Sequence, residues 1–279
     1  FLLANSILMI ISANMILLGT LYPMITEALG IGKISVGEPY FNMFFVPLMS
    51  AVAVLVGVGI MLNSQKTAFN KIKLWQIGPL LAAIWAGTFI PGIIDGDYSI
   101  ASAITITLGA WVIFSSLTDI YRKTRNAKST ILGLRRLTPT YYGMIFAHVG
   151  FALCLLGAGL NTIYSDQRDL RLAVGQSVSI GSYNYELADV RSENFVNYSA
   201  DVGDVIVRKR GEIVTTLNPE KRRYFSGGNV MTEAAIDAGF FRDIYVAMGE
   251  HLGDTDWAIR IHFKPLVRWI WLGAIFMAF

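Results

Sequence analysis

Tyr141-Tyr-Gly-Met-Ile-Phe-Ala-His148-Val-Gly-Phe-Ala-Leu-Cys154-Leu-Leu-Gly157 carries no formal charge over residues 141–157. Continued to about Ile163, the run passes the roughly 20 apolar residues needed to cross a bilayer. It therefore reads as a membrane helix with one imidazole, His148, near mid-span. A titratable side chain at that depth must find a partner or line a cavity, which makes it a functional candidate by default. Neutral imidazole is also the commonest metal ligand. Two readings stay open from the residues alone: a metal ligand or proton relay, or a structural imidazole bonded to a carbonyl or hydroxyl of a neighbouring helix.

The composition extends this reading to most of the chain. Of 279 residues, 54% are hydrophobic and 15% charged, with a mean hydropathy of +0.50. Ordinary soluble domains carry about 25% charged residues. Four further runs are long and apolar enough to span: Phe1 to about Met24, Phe41 to about Asn63, Trp75 to about Ile94, and Ser99 to about Leu117. Residues 265–279 begin a sixth. Pro47, Pro79 and Pro91 fall in or near spans, where neighbouring helices satisfy the freed carbonyls.

The loop charges orient the bundle. Lys66, Lys71 and Lys73 occupy one connection, residues 64–74. Another, residues 120–140, holds Arg122, Lys123, Arg125, Lys128, Arg135 and Arg136. The alternate connections carry Glu27, Lys33 and Glu38, then Asp95 and Asp97. The positive-inside rule places the two basic loops in the cytoplasm. Domain boundaries follow: residues 1–162 form a five-span bundle, residues 163–264 lie on the far side, and the last span starts at 265. Tyr22, Tyr40, Trp75, Tyr98, Tyr141, Tyr142, Trp269 and Trp271 sit at span ends, as an interfacial belt requires.

Asn161 to Lys264 holds 15 of the 20 acidic residues and 12 of the 23 Lys and Arg, so the net charge of +3 joins two unlike parts. No nucleic-acid surface follows from it. Short runs with partial alternation predict strands at Gln176–Ile180, Tyr183–Val190, Asp204–Arg208, Glu212–Leu217, Arg223–Phe225, Ile244–Met248 and Trp257–Phe263. Gly181-Ser182, Glu193-Asn194 and Arg210-Gly211 read as turns between them, and Pro219 to Arg223 as a charged turn. Short strands at regular spacing suggest a small barrel or sandwich.

Cys154 is the only cysteine, which excludes an intrachain disulfide and any paired-cysteine metal or redox motif. Without Cys-x-x-Cys-His, the chain does not attach haem covalently to itself. His251, in Gly-Glu-His-Leu-Gly-Asp, reads as a surface turn. His262, just before the last span, reads as a strand or interface residue. Glu233 and Asp237 are four apart and would share a face only on a helix, so solvated carboxylates are expected. Gly143 and Gly150, seven apart, share a helix face, while His148 points about 200° from Gly150. The pair therefore lines no obvious pocket for the same imidazole.

Several strings in order resemble one family: Gly-Thr-Leu-Tyr-Pro (19–23), Ile-Ser-Val-Gly-Glu-Pro-Tyr-Phe-Asn (34–42), Gly-Met-Ile-Phe-Ala-His-Val-Gly-Phe (143–151), Tyr-Ser-Asp-Gln-Arg-Asp (164–169), Asn-Pro-Glu-Lys-Arg (218–222), Met-Thr-Glu-Ala-Ala-Ile-Asp (231–237) and Lys-Pro-Leu-Val-Arg-Trp-Ile-Trp (264–271). The order resembles the C-terminal part of the CcmF family, the large haem-lyase subunits of bacterial cytochrome c maturation. The resemblance implies a polytopic helical protein of the bacterial inner membrane, with a periplasmic β-rich domain before the last span. It implies an enzyme joining haem to the Cys-x-x-Cys-His motif of apocytochrome c through thioether bonds, working with a haem chaperone and other maturation subunits. It makes His148 an axial ligand of an embedded b-type haem. The second ligand, the tryptophan-rich segment that holds the substrate haem, and that haem's own histidine ligands would lie upstream of Phe1. By itself the fragment is then expected to be inactive. A paralogous lyase dedicated to a multihaem cytochrome fits the same strings. The alternatives of another class are a secondary transporter, with proline-broken helices but no repeat, and a non-catalytic assembly subunit.

Overall fold

The computed structural model describes residues 2–60, 69–94 and 98–279, without side-chain placement at 2, 69–74 and 94. Lys66, Asp95 and Asp97 lie outside the described residues, as do the side chains of Lys71 and Lys73. The chain divides into two compact units: residues 1–159 with 270–279, and Leu160–Trp269.

The first unit is helical. Its elements are α1 (Leu2–Ala28), α2 (Glu38–Gly59), α3 (Phe69–Ile94), α4 (Ile100–Thr124), α5 (Thr130–Arg135), most of α6 (Pro139–Tyr164) and most of α7 (Val267–Ala278). All of these except α5 and α7 are long and apolar enough to cross a membrane; α7 is a shorter apolar helix. Many large apolar side chains on α1 to α4 remain exposed, among them Leu3, Ile10, Met43, Leu81, Trp85 and Ile104. That is the surface expected of helices whose solvent is lipid. α5 was not among the expected elements. Its six residues are started by Ser129, whose Oγ accepts the Leu132 amide at 3.3 Å.

α4 is the hub, and glycines on all sides let its neighbours approach. Gly57 of α2 abuts the Trp111 indole, and Gly87 of α3 abuts Thr107. A β-carbon at Gly109 would lie 2.5 Å from Leu156 of α6, and one at Gly159 of α6 would lie 2.5 Å from Thr105. Small residues at crossings give close backbone packing, the main attraction between helices in lipid. α1 pairs with α2, where the Tyr40 hydroxyl donates to the Met15 carbonyl at 3.1 Å.

The second unit is a sandwich of two antiparallel sheets. One has the order β1 (Asp166–Ala173), β10 (Asp256–Pro265), β9 (Arg242–Gly253), β8 (Ala235–Ala238). The other runs β2 (Ser177–Ile180), β3 (Tyr183–Asn194), β4 (Tyr198–Lys209), β6 (Glu220–Tyr224), β7 (Val230–Glu233), with β5 (Glu212–Leu217) paired to β4. β4 is shared along its length: Tyr198–Val202 pairs with β6 and Val205–Lys209 with β5. Alternate residues face inward, as the strand period requires. Tyr185, Leu187, Val205, Val207, Ile244, Val246, Met248, Ile259 and Ile261 form the core, each 2% exposed or less.

The structure departs from the sequence reading in the charged segments. Pro219 to Arg223 is not a turn, because Glu220–Tyr224 is strand β6. Each cation there has a carboxylate to meet: Arg222 pairs with Glu220 at 2.7 Å, Arg223 with Asp201 at 2.7 Å and Lys221 with Glu250 at 3.0 Å. Glu193-Asn194 is likewise no turn. Both residues end β3, and the reversal falls at 195–197. β1, β7 and β8 were unexpected. In β1 the exposed charges of Arg168, Asp169 and Arg171 hide the signal of inward Leu170 and Leu172, and they pair with Asp166, Arg260 and Asp256.

Leu187 is fully buried, so Leu187→Ala should cost the sandwich about 2–5 kcal/mol through lost burial and a residual cavity. Val214 is 41% exposed, and Val214→Ala should change stability by no more than about 0.5 kcal/mol. Urea titration of the full chain in detergent compares the two; equal losses would place Leu187 outside a packed core.

Candidate functional site

α6 holds the candidate residue and is fixed at both ends of its membrane run. At its start, Thr138 Oγ1 accepts the Tyr141 amide at 3.2 Å. The Tyr141 hydroxyl then donates to Asp119 Oδ2 of α4 at 2.8 Å. Asp119 is completely buried and also accepts from Arg122 at 3.0 Å and Lys123 at 2.8 Å. The Lys123 ammonium lies 3.9 Å from the centre of the Tyr141 ring. A buried carboxylate is costly unless paired and hydrogen-bonded, and here three donors satisfy it. Next to it, the Tyr142 hydroxyl donates to the Leu134 carbonyl of α5 at 2.9 Å. The sequence signal for Asp119 was a lone acid inside an apolar helix with cations three and four residues on.

Farther along, α6 crosses α7 through glycines. A β-carbon at Gly150 would lie 2.5 Å from the Gly273 carbonyl and 2.9 Å from the Met277 amide nitrogen. Cys154 donates its thiol to the Ile270 carbonyl at 3.1 Å, and the Phe146 and Phe276 rings meet edge-on at 5.7 Å. The α7-facing side of α6 is therefore filled. Gly143 and Gly150 do share that side, since Gly143 points at the Phe279 carbonyl at 3.7 Å.

His148 sits about 200° around the helix from Gly150, on the side that carries the buried Ile145 and Ala152. The residue is half-buried, and its Nδ1 is buried with no hydrogen-bond partner among the described residues. The structural reading of this imidazole called for a carbonyl or hydroxyl partner, and Nδ1 has none among the described residues. On α4, Ser115 Oγ is also buried without a partner among the described residues. α4 and α6 run antiparallel through the Thr105–Gly159, Gly109–Leu156 and Asp119–Tyr141 contacts. At about 1.5 Å per residue, Ser115 and His148 fall at similar depth.

The other candidates are separate from this place and from one another. His251 is exposed but is not in a turn: it lies in β9 opposite Trp257 of β10, where its Nε2 bonds the Asp254 carbonyl at 3.0 Å and its ring packs on Trp257. His262 lies in β10 with its Nε2 3.0 Å from Ser165 Oγ, which also donates to the Phe263 carbonyl. Glu233 ends β7 and pairs with Arg222 at 3.4 Å. Asp237 lies in β8 of the other sheet, ion-paired to Arg242. The two carboxylates thus share no helix face. No group of three metal-binding side chains occurs among the described residues, so a metal held here would have to come with its own macrocycle or with ligands from another segment.

Two predictions follow from these geometries. Tyr141→Phe removes one hydrogen bond to a charged group and should destabilise the helical unit by about 1.5–3 kcal/mol. Thermal unfolding in detergent measures it, and an unchanged midpoint would mean that the hydroxyl does not hold α6 to α4. Burial, then Lys264 and Arg260, lower the pKa of His262 below 6.5. Neutral His262 is favoured in the fold, so its stabilisation is complete above 6.5 and is lost as pH falls through the lowered value. Urea midpoints of the sandwich should fall from pH 6.5 downward, and less steeply in His262→Gln. Identical slopes would remove His262 as the cause.

The comparisons with known proteins agree with this architecture. The family described as the CcmF C-terminal beta-sandwich matches residues 163–265. A cytochrome c-type biogenesis protein CcmF of Pseudomonas fluorescens is 43% identical over the whole chain, which covers 42% of that protein. The CcmF of Escherichia coli K12 is 35% identical over 99% of the chain and 42% of its own length. The cytochrome c-type biogenesis protein NrfE of Haemophilus influenzae is 33% identical over 98% of the chain. A solved structure, cytochrome c heme lyase CcmF, superposes on 98% of the chain and 43% of its own with a TM-score of 0.69 at 20% identity, a likeness of fold. The chain spans about two-fifths of the length of the curated relatives it matches. Similar to them from end to end and carrying their sandwich, it belongs to the CcmF family and corresponds to its C-terminal portion.

Proposed function

We propose that the chain works in cytochrome c maturation as part of a haem lyase, and that His148 is one axial ligand of an embedded b-type haem. The observation that carries the ligand reading is the imidazole itself: a membrane-helix histidine whose buried Nδ1 has no partner among the described residues. An unsatisfied buried polar group is expensive unless something outside the described contacts meets it. The residues fit a haem: a neutral imidazole on one face of α6, and the opposite face closed by Gly150 against Gly273. A haem held there would supply one-electron chemistry at its iron. The chain's own residues orient. Asp119 and Tyr141 fix the start of α6, Cys154 ties it to α7, and His148 presents a nitrogen. A second axial ligand comes from a segment of the protein other than this one.

The relatives' names support the setting. Most of those quoted are cytochrome c-type biogenesis proteins, and the structural neighbour is named a heme lyase. In this reading the substrates are haem and an apocytochrome c thiol pair. Each thiol adds across a haem vinyl group, so that sulfur bonds one vinyl carbon and the proton goes to the other. A haem chaperone and the other maturation subunits would be the partners. The basic connection 120–140 would be cytoplasmic, and residues 163–264 periplasmic, on the bacterial inner membrane. The Arg125 guanidinium lies 4.7 Å from the Trp75 ring, so the basic end of α4 meets the first part of α3 on one side of the bundle, as that topology requires.

Absorption spectra of the purified full-length protein test the proposal. The wild type should show b-type bands that are diminished or shifted in His148→Ala, with the yield of folded protein unchanged. The same variant should lower holocytochrome c in cells while apocytochrome is still exported. An unaltered haem spectrum would remove His148 as a ligand, and a normal holocytochrome yield would remove its part in maturation.

A further inference from the structure

The β8–β9 turn exposes two adjacent aromatic side chains, and it is built to be rigid. Gly239 donates its amide to the Arg242 carbonyl at 2.9 Å and to Asp243 Oδ1 at 3.1 Å. A β-carbon at Gly239 would lie 2.8 Å from that Arg242 carbonyl, so the tight turn requires glycine there. The turn displays Phe240 and Phe241, 53% and 66% exposed, as adjacent rings set edge-on 5.0 Å apart. Two aromatic rings held out on a fixed backbone lose their contact with water only if something covers them.

The chain nearby says what that is. The Phe241 carbonyl accepts the amide of Leu266 at 3.0 Å, and Leu266 turns the chain from β10 into α7 with a left-handed φ of 56°. Trp269, in the first turn of α7, lies 5.9 Å from the Phe240 ring and 6.3 Å from the Phe241 ring. The tip is thus level with the start of an apolar helix. The last turn of α6, a helix long enough to cross a membrane, is tied to the same strand end, because Ser165 donates to the Phe263 carbonyl at 3.1 Å. Near the aromatics stand two cations that form no ion pair among the described residues: exposed Arg268, and Lys264, whose cross-strand neighbour is Asp243 and whose ammonium lies 5.7 Å from the Tyr245 ring. Aromatic rings level with helix ends, flanked by free Lys and Arg, match the headgroup layer of a bilayer.

We propose that the Phe240-Phe241 turn is a membrane anchor of the sandwich. It inserts beside Trp269 at the boundary of headgroups and acyl chains, with Lys264 and Arg268 among the lipid phosphates. The anchor adds apolar burial that the sandwich lacks in water. It is independent of any haem.

Spin-label accessibility in lipid nanodiscs tests it on the full chain, in a Cys154→Ser background that retains a donor for the Ile270 carbonyl. Nitroxides are placed at Phe241→Cys, at Phe240→Cys in case one variant folds poorly, and at Arg210→Cys on the exposed β4–β5 turn as the aqueous reference. The ratio of collisions with oxygen to collisions with a water-soluble nickel chelate should be severalfold higher at 240 and 241 than at 210. Ratios equal to that at 210 would show a tip in water and overturn the anchor. Labels closed to both reagents would show a tip covered by protein, which also overturns it.

Discussion

The backbone contact between Gly150 and Gly273 sets the geometry on which the candidate site depends. A helix in lipid gains little from apolar burial alone, since acyl chains are as apolar as leucine, and its rotation is decided by close packing and hydrogen bonds. With no side chain at either position, α6 and α7 meet backbone to backbone, and Cys154 to the Ile270 carbonyl adds a directional bond. That contact fixes which side of α6 is closed. His148, two residues before Gly150, is turned to the other side, where its buried Nδ1 finds no partner among the described residues. A larger residue at Gly150 would force the helices apart and turn the imidazole with them.

The second constraint is pairing of β1 with β10 in the register Asp166 to Phe263. It brings the strand that leaves α6 beside the strand that enters α7, so a long insertion returns to its starting point. On the inward face Leu170 and Leu172 lie opposite Ile259 and Trp257 in the core. On the outward face charge pairs line the two strands: Arg260 with Asp169 at 2.6 Å, Arg171 with Asp256 at 2.5 Å, and the Arg260 guanidinium holding the Asp169 carboxyl below its usual range. Exposed pairs of this kind are individually weak. Their value is in register, because a one-residue slip would move Leu170 and Leu172 out of the core and oppose like charges.

The long apolar runs were legible because lipid demands one property over some twenty residues. α6 begins and ends near the places its composition indicates, whereas α3 starts six residues before Trp75 and α4 runs seven beyond Leu117 into charged sequence. β5 and most of β3 and β10 were legible by alternation. β6 was not, since Glu220-Lys-Arg-Arg reads as solvated until Asp201, Glu233 and Glu250 are seen across from it. Those partners are distant in sequence, and no local pattern announces them. The same holds for the site. A histidine at mid-span announced itself, but whether its nitrogens were already occupied depended on helices that only the fold brings near. Asp119 was visible as a lone acid, while its bond to Tyr141, which positions the histidine's helix, was not.

The most direct measurement is a cryo-electron microscopy map of the full-length protein purified with its haem. The account predicts continuous density from the His148 imidazole to the iron, on the side of α6 opposite the Gly150–Gly273 crossing. A His148 ring hydrogen-bonded to a protein hydroxyl or carbonyl, with the iron held by other residues, would contradict it.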